Sequence, residues 1–262
     1  MVKITKTSRI AKLEQPIRGV LFDKDGTLIH FHSIWLPIAI NLVKQFTKAY
    51  FIQCDDISEQ LEKSIGLEGE KVDGSGILAG GTTLDIAKAF YKVLLDEGYN
   101  QYTLKEIYVW LSDKMVEITK ENSQYIKPTG NLIAMLNVLK AKKIEVGIAT
   151  ADDFETTKIA LNKLGLTEYF SFVVTADTHE FSKPHHSIIE KFCENTGLQS
   201  NEVAVVGDTN IDLALAHNGK AGLAIGVLTG ASRSEELEEL ADLIVPAATD
   251  IVDKDGVFIW EK

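Results

Sequence analysis

Short runs of β-branched and other apolar residues recur along the chain, and most are followed by a segment of helical periodicity. These runs predict six strands, at residues 17–23, 144–150, 170–175, 202–208, 221–227 and 242–246. Their near-continuous apolar character is typical of strands buried on both faces of a parallel sheet. The segments between them place apolar residues at helical spacing. The alternation predicts an α/β fold with a doubly wound, Rossmann-like parallel sheet.

One region, residues 31–125, interrupts this alternation. It shows no convincing strand pattern and contains four amphipathic stretches that predict helices. We therefore expect a helical module inserted after the first strand, with candidate hinges near residues 30–33 and 124–128. The glycine-rich piece 73–83 lies inside this module and lacks the Gly-Lys-Ser/Thr ending of a phosphate-binding loop. It is either a plain connection between helices or a loop whose backbone lines a ligand cleft.

Composition and charge narrow the classes of function. The chain has 262 residues, 45% of them hydrophobic, which suits one large core or a core with a smaller domain. Its net charge of −11 argues against binding to nucleic acid or an anionic membrane, because both need a basic surface. We expect no secretory signal and no membrane span. Cys54 and Cys193 lack metal-ligand spacing and are expected to be reduced thiols of a cytoplasmic protein.

Polar and charged residues follow four of the predicted strands. In chain order they are Asp23 with Asp25, Thr150, Lys183, and Asp208 with Asp212. The carboxyl ends of parallel strands meet at one edge of the sheet, where doubly wound folds bind ligands. A single aspartate there is most often a turn or helix-cap residue, but an ordered set from four strands indicates a site.

Four motifs in this set carry a resemblance to a known family. They are DKDGTL at 23–28, IAT at 148–150, KP at 183–184 and GDTNID at 207–212. Their order resembles the haloacid dehalogenase-like superfamily, whose members are mostly magnesium-dependent phosphatases. The helical insertion between the first two motifs resembles that of the members with a helical cap. The run that begins with the fourth motif, residues 207–232, is similar to the same region of phosphoglycolate phosphatase-like members. The resemblance implies a Rossmann-like catalytic core, 1–30 and 126–262, and a helical cap domain, 31–125.

The resemblance also implies roles for the aspartates. Asp23 would be the nucleophile that forms an aspartyl-phosphate, and Asp25 would be the general acid and base. Mg²⁺ would offset the charge of nucleophile and phosphate, because it prefers oxygen ligands. Its protein ligands would be the Asp23 carboxylate, the Asp25 carbonyl oxygen and the Asp208 carboxylate. Asp212 would act indirectly, through water on the metal.

The remaining motif residues are expected to bind the phosphoryl group. Lys183 would neutralise the nucleophile and a phosphoryl oxygen, which also makes it a catalytic residue. Thr27 would offer its hydroxyl and amide, and Thr150 and the amide of Ala151 would hold another oxygen. The family often has Asn where this chain has Ala151, so one side-chain contact is absent.

Four histidines near the motifs have two interpretations each. His185 and His186 replace the family's x-Pro after Lys-Pro, and we interpret them as the start of a helix rather than as cleft residues. His30 and His32 follow the first motif, and we interpret them as part of a polar linker rather than as substrate contacts.

The cap is expected to select the substrate. Lys71 and Ser75 are the candidate specificity residues. A cap of this size favours a small phosphorylated metabolite as the partner, with 2-phosphoglycolate as one candidate, and the protein is expected to be a monomer or homodimer. The alternatives are a sugar phosphomutase with the same core and cap, and a non-catalytic regulatory protein that retains the fold. The intact acids and Lys183 argue against the last.

The tetrapeptide Asp-Lys-Asp-Gly occurs a second time, at residues 253–256. There Val257 stands where the first copy has a threonine, and no later segment remains to complete a site. We interpret Asp253 and Asp255 as residues of a hairpin turn between two short strands.

Overall fold

The computed structural model of the chain describes residues 5–6, 13, 15–52 and 56–261. Cys54 and the side chain of His32 lie outside the described part. The strands, in chain order, are β1 (Thr5–Lys6), β2 (Gly19–Phe22), β3 (Leu67–Glu68), β4 (Lys71–Val72), β5 (Glu145–Ala149), β6 (Phe172–Val174), β7 (Val203–Gly207), β8 (Leu223–Val227) and β9 (Leu243–Val245). The helices are α1 (Phe31–Ala49), α2 (Ile57–Ser64), α3 (Ile77–Gly80), α4 (Thr83–Asp96), α5 (Leu104–Glu121), α6 (Leu132–Ala141), α7 (Phe154–Leu164), α8 (Ser187–Thr196), α9 (Asn210–Asn218) and α10 (Ser234–Leu237).

Seven of these strands form one sheet in the order β1-β9-β8-β7-β2-β5-β6. All six predicted strands are present and pair in parallel, which confirms the doubly wound α/β fold. The two-residue strand β1 was not predicted, because it is too short to show a pattern; it pairs antiparallel with β9. No helix within the described ranges is long and apolar enough to cross a membrane.

The interior strand β2, which lies between β7 and β5, is buried on both faces. Val20 and Phe22 belong to one hydrophobic cluster and Leu21 belongs to another, because successive side chains of a strand point to opposite faces. The first cluster continues into the cap through α1, α4 and α5. The sheet is thus packed on both faces, and the inserted helices share one of its two clusters.

The inserted region contains the four predicted helices, as α1, α2, α4 and α5, and the short α3. The expectation that it lacks strands was wrong. Strands β3 and β4 form a small antiparallel hairpin whose turn contains Gly69, with φ of 60°. Glycine favours such a turn, and two-residue strands are too short for an alternating pattern. The exact domain boundaries stay a prediction.

The two linkers between core and cap run side by side. The amide of His30 donates to the carbonyl oxygen of Lys127 at 3.0 Å, and Ile29 pairs with Pro128 in an isolated antiparallel bridge. The predicted hinge segments are therefore in contact with each other.

The second Asp-Lys-Asp-Gly copy forms a turn, as predicted. Asp253 Oδ1 accepts hydrogen bonds from the amides of Asp255 and Val257, both at 2.8 Å. The predicted flanking strands are reduced to one bridge between Val252 and Phe258. A 3₁₀ turn at Ile259–Glu261 follows.

Candidate active site

Asp23 lies directly beyond the carboxyl end of β2. Its amide donates to the carbonyl oxygen of Val206 at 2.8 Å, which fixes the backbone at the sheet edge. The chain then turns through Gly26, with φ of 85°, and a Cβ at this position would lie 2.4 Å from the carboxyl carbon of Asp208. Glycine therefore allows the first and fourth motifs to meet.

Three buried carboxylates converge at this edge. Oxygens of Asp23, Asp208 and Asp212 lie within 4.8 Å of one another. Asp208 Oδ2 accepts from the amide of Ala231 at 2.9 Å, and Asp212 Oδ2 accepts from the hydroxyl of Thr209 at 2.7 Å. Burial raises the pKa of Asp23 to about 7, although Lys183 opposes the rise. Burial and the neighbouring Asp23 also raise the pKa of Asp208.

This cluster could hold a metal ion, because its carboxylates are buried and lie close to like charges. The sequence analysis expected Asp212 to act through a water on the metal. In the structure its carboxylate belongs to the same cluster as those of Asp23 and Asp208.

Lys183 connects two of these acids. Its Nζ lies 2.6 Å from Asp23 Oδ1 and 2.6 Å from Asp212 Oδ1, and its side chain is buried. Burial alone would lower the pKa of Lys183, but Asp212 and Asp23 outweigh it and raise the pKa. The lysine is thus a fixed positive charge beside Asp23.

Of the predicted phosphate-binding residues, three line a cavity beside Asp23 and one does not. Thr150 and Ala151 line a cavity together with Asp23 and Lys183. Thr27 does not line that cavity: it is fully buried, and its hydroxyl donates to Asp208 Oδ1 at 3.4 Å. The side chain of Thr27 thus contacts Asp208 here, and its role in phosphate binding stays a prediction.

Lys24 is a site residue that the sequence reasoning missed. Its buried Nζ lies 2.5 Å from Asp25 Oδ2 and 2.9 Å from Asp152 Oδ2. Burial alone would lower its pKa, but Asp152 and Asp25 outweigh it and raise the pKa. Burial raises the pKa of Asp152, although Lys24 opposes the rise. The one sequence signal for Lys24 is its place between two acids just beyond a buried strand.

The cavity lies between core and cap. The core contributes eight lining residues: Asp23, Asp25, Thr150, Ala151, Asp152, Lys183, Thr209 and Asp212. The cap contributes Phe31 and Trp35 from α1, residues 78–81, Thr83 and Ile86 from α4, and Met115 from α5. Its volume of about 40 Å³ suits about three water molecules, since each needs about 10–15 Å³.

The candidate specificity residues lie elsewhere. Lys71 lines a separate cavity with Arg233, and Ser75 bonds Asp73 through its hydroxyl at 2.8 Å. Neither lines the cavity beside Asp23, because the glycine-rich segment presents residues 78–81 to it instead. Of the two interpretations of that segment, the structure supports the loop that lines the cleft.

Cap and core are in direct contact beside the cavity. The hydroxyl of Thr83 donates to Asp153 Oδ2 at 2.8 Å. Burial raises the pKa of Asp153 to about 6, although the Thr83 bond opposes the rise. A Cβ on Gly80 would lie 2.6 Å from Cδ1 of Ile211, so α3 approaches α9 closely.

The histidines have structural positions. His186 is the N-cap residue of α8, and His185 stacks on Phe181 with ring centroids 4.1 Å apart. This confirms their interpretation as a helix start. His30 is exposed and lies in the linker.

Comparisons with known proteins agree with this geometry. The model of the haloacid dehalogenase-like hydrolases matches residues 17–220. The chain is 26% identical to a putative pyrophosphatase PpaX of Clostridium perfringens, over 90% of this chain and 96% of that protein. It is 27% identical to a phosphoglycolate phosphatase of Aquifex aeolicus, over 75% of this chain and 78% of that protein. The crystal structure of a predicted phosphoglycolate phosphatase from Haemophilus somnus has the same fold, with a TM-score of 0.69 and 18% identity. The match covers 91% of this chain and 97% of that one.

Proposed function

The chain belongs to the haloacid dehalogenase-like hydrolase family, and we propose that it is a Mg²⁺-dependent phosphatase of small phosphomonoesters. One observation carries this proposal. The Asp23 carboxylate stands at the sheet edge, paired with Lys183 at 2.6 Å, in a cavity that also contains Asp25. A nucleophile, a fixed cation and a second acid are the groups that two-step phosphoryl transfer needs.

The acids fit a hard divalent cation. Asp23, Asp208 and Asp212 offer carboxylate oxygens within 4.8 Å, and burial raises the pKa of two of them, so a bound cation would stabilise their charged forms. Asp23 and Asp208 would hold Mg²⁺ with the carbonyl oxygen of Asp25, and the ion would supply positive charge beside the phosphoryl group.

The residues divide the hydrolysis into two displacements. In the first, an oxygen of Asp23 forms a bond to phosphorus as the bond to the ester oxygen breaks, and Asp25 gives its proton to the departing alcohol. In the second, Asp25 takes a proton from water as that water attacks phosphorus. The bond between phosphorus and Asp23 then breaks, and inorganic phosphate leaves. Lys183 offsets the negative charge throughout.

The two alternatives are less well supported. A sugar phosphomutase would need a second phosphate site in the cap, and no lysine of the cap is among the described residues that line the cavity. For a non-catalytic protein, the burial of Lys183 between two acids would be a desolvation cost without a functional role.

The test is hydrolysis of p-nitrophenyl phosphate with Mg²⁺, with and without EDTA. Asp23→Asn removes the nucleophile, and we expect turnover to fall at least about 1,000-fold. The matched control is Asp253→Asn, the same change in the same tetrapeptide within the C-terminal turn, which should keep turnover near the unmodified rate. Full activity in Asp23→Asn, or full activity in EDTA after dialysis, would contradict the proposal.

A further inference from the structure

We propose that the substrate of this site is the phosphate ester of a small uncharged and largely apolar alcohol. This rests on the proposed function, since it takes the phosphoryl group to bind beside Asp23, with the alcohol directed at the cap. The proposal predicts that esters whose leaving group carries a further negative charge, such as glycolate or a second phosphate, are not the preferred substrates.

The cap wall that faces Asp23 is apolar. Phe31, Trp35, Leu78, Ile86 and Met115 line it, and all five side chains are buried. Such a wall favours contact with carbon atoms. A carboxylate against it would lose its water without gaining a partner, which is strongly unfavourable.

The positive charges of the cap are elsewhere. Residues 31–125 contain nine lysines and no arginine: Lys44, Lys48, Lys63, Lys71, Lys88, Lys92, Lys105, Lys114 and Lys120. None is among the described residues that line the cavity. Eight are exposed, and the half-buried Lys114 is paired with Glu117. The cap therefore presents no lysine or arginine to a second anionic group.

The backbone of the glycine-rich segment does not compensate for this. Each of the four amides from Leu78 to Gly81 donates to a carbonyl oxygen within the cap, at 2.7 to 3.3 Å. The amide of Thr82 donates to Asp85 Oδ2, and the hydroxyl of Thr83 donates to Asp153. Two carboxylates thus already lie at the positive N-terminus of α4, which is where an anion would otherwise bind.

The core side adds negative charge. Asp23, Asp25, Asp152 and Asp212 line the cavity, and Lys183 is the cation among its described core residues. That lysine is paired with two of the acids. Beyond the phosphoryl group, a second anion would meet carboxylates and apolar carbon, so an uncharged alcohol fits best.

The test compares two esters that differ in one charge: 2-phosphoglycolate and its uncharged amide, 2-phosphoglycolamide, with inorganic pyrophosphate as a third substrate. We expect kcat/KM for the amide to exceed both others by at least about 100-fold. Equal or higher kcat/KM for 2-phosphoglycolate or pyrophosphate would overturn the inference while leaving the phosphatase proposal intact. If wild-type protein hydrolyses none of these esters and no p-nitrophenyl phosphate, the proposed function itself fails.

A gain of selectivity gives a second measurement. Ile86→Lys places a cation in the cap wall, and Leu84→Lys adds the same charge on the same helix at an exposed position. We expect the ratio of kcat/KM for 2-phosphoglycolate to that for the amide to rise at least about 10-fold in Ile86→Lys only. Met115→Lys replaces it if Ile86→Lys does not fold. An unchanged ratio in the folded cavity variant would overturn the inference, and the wild-type comparison decides if neither variant folds.

Discussion

Lys24 offers the sharpest test of how the site is held together. Its Nζ lies 2.5 Å from Asp25 and 2.9 Å from Asp152, and its side chain is only 3% exposed. Lys24→Met keeps most of the aliphatic stem and removes the charge. The change leaves the buried Asp152 and the partly buried Asp25 without their shared cation, which is more costly than losing the interaction itself.

The size of the effect follows from this burial. Removing one partner of a buried ion pair costs about 3–5 kcal/mol, a large part of the 5–15 kcal/mol by which whole domains are stable. Asp152→Asn leaves Lys24 paired with Asp25, so we expect a smaller loss of about 1–3 kcal/mol. The double variant retains one unpaired carboxylate rather than two. We therefore expect its loss to be at least about 1.5 kcal/mol smaller than the sum of the single losses.

The assay is urea unfolding of the four proteins, followed by circular dichroism at pH 7.5. Lys63→Met is the matched control, because Lys63 pairs with Glu59 at 2.6 Å on the exposed face of α2. Surface pairs contribute little, so its unfolding midpoint should match that of the wild type. Additive losses within about 0.5 kcal/mol, or a loss below about 1 kcal/mol for Lys24→Met, would refute the coupling.

Two further predictions concern the contact between cap and core. Thr83→Val removes the hydrogen bond to Asp153, so the contact between cap and core should be weaker and KM for a hydrolysed ester should rise about 5-fold; an unchanged KM would contradict this. Asp153 has a pKa raised from 3.8 to about 6 by burial, so the folded state favours its protonated form. Its contribution to stability is complete below pH 3.8 and is lost as pH rises through about 6. Asp153→Asn does not titrate, so in urea unfolding it should gain stability relative to wild type between pH 4 and pH 7, by at most about 3 kcal/mol. A difference that does not vary with pH would contradict this.

The sheet edge was predictable because strand pairing fixes it. Phe22 pairs with Ile148 on one side and with Val206 on the other. The residues after these positions, including Asp23 and Asp208, must then lie at one edge. Near-continuous apolar runs predict such strands, and their parallel order places their carboxyl ends together at that edge.

The cap wall was not predictable in the same way. Lys71 and Ser75 were the candidate specificity residues, yet residues 78–81 and Met115 face the cavity. Which side of a helix faces the core depends on how the cap docks, and amphipathic periodicity only separates buried from exposed faces. The Lys24–Asp152 pair was missed for a related reason, since its two residues are far apart in sequence and meet only through the pairing of β2 with β5.

The two Asp-Lys-Asp-Gly copies show why neighbours decide the chemistry of a motif. Both glycines have positive φ, 85° at Gly26 and 75° at Gly256, so both copies turn the chain. In the second copy, the first aspartate satisfies amides of its own turn, and Lys254 is exposed. In the first copy, the amide of Asp23 pairs with the adjacent strand, and its carboxylate is left to meet Lys183. Asp23 becomes a candidate nucleophile because its carboxylate lies beside Lys183, Asp208 and Asp212 at the sheet edge, whereas the carboxylate of Asp253 binds amides of its own turn.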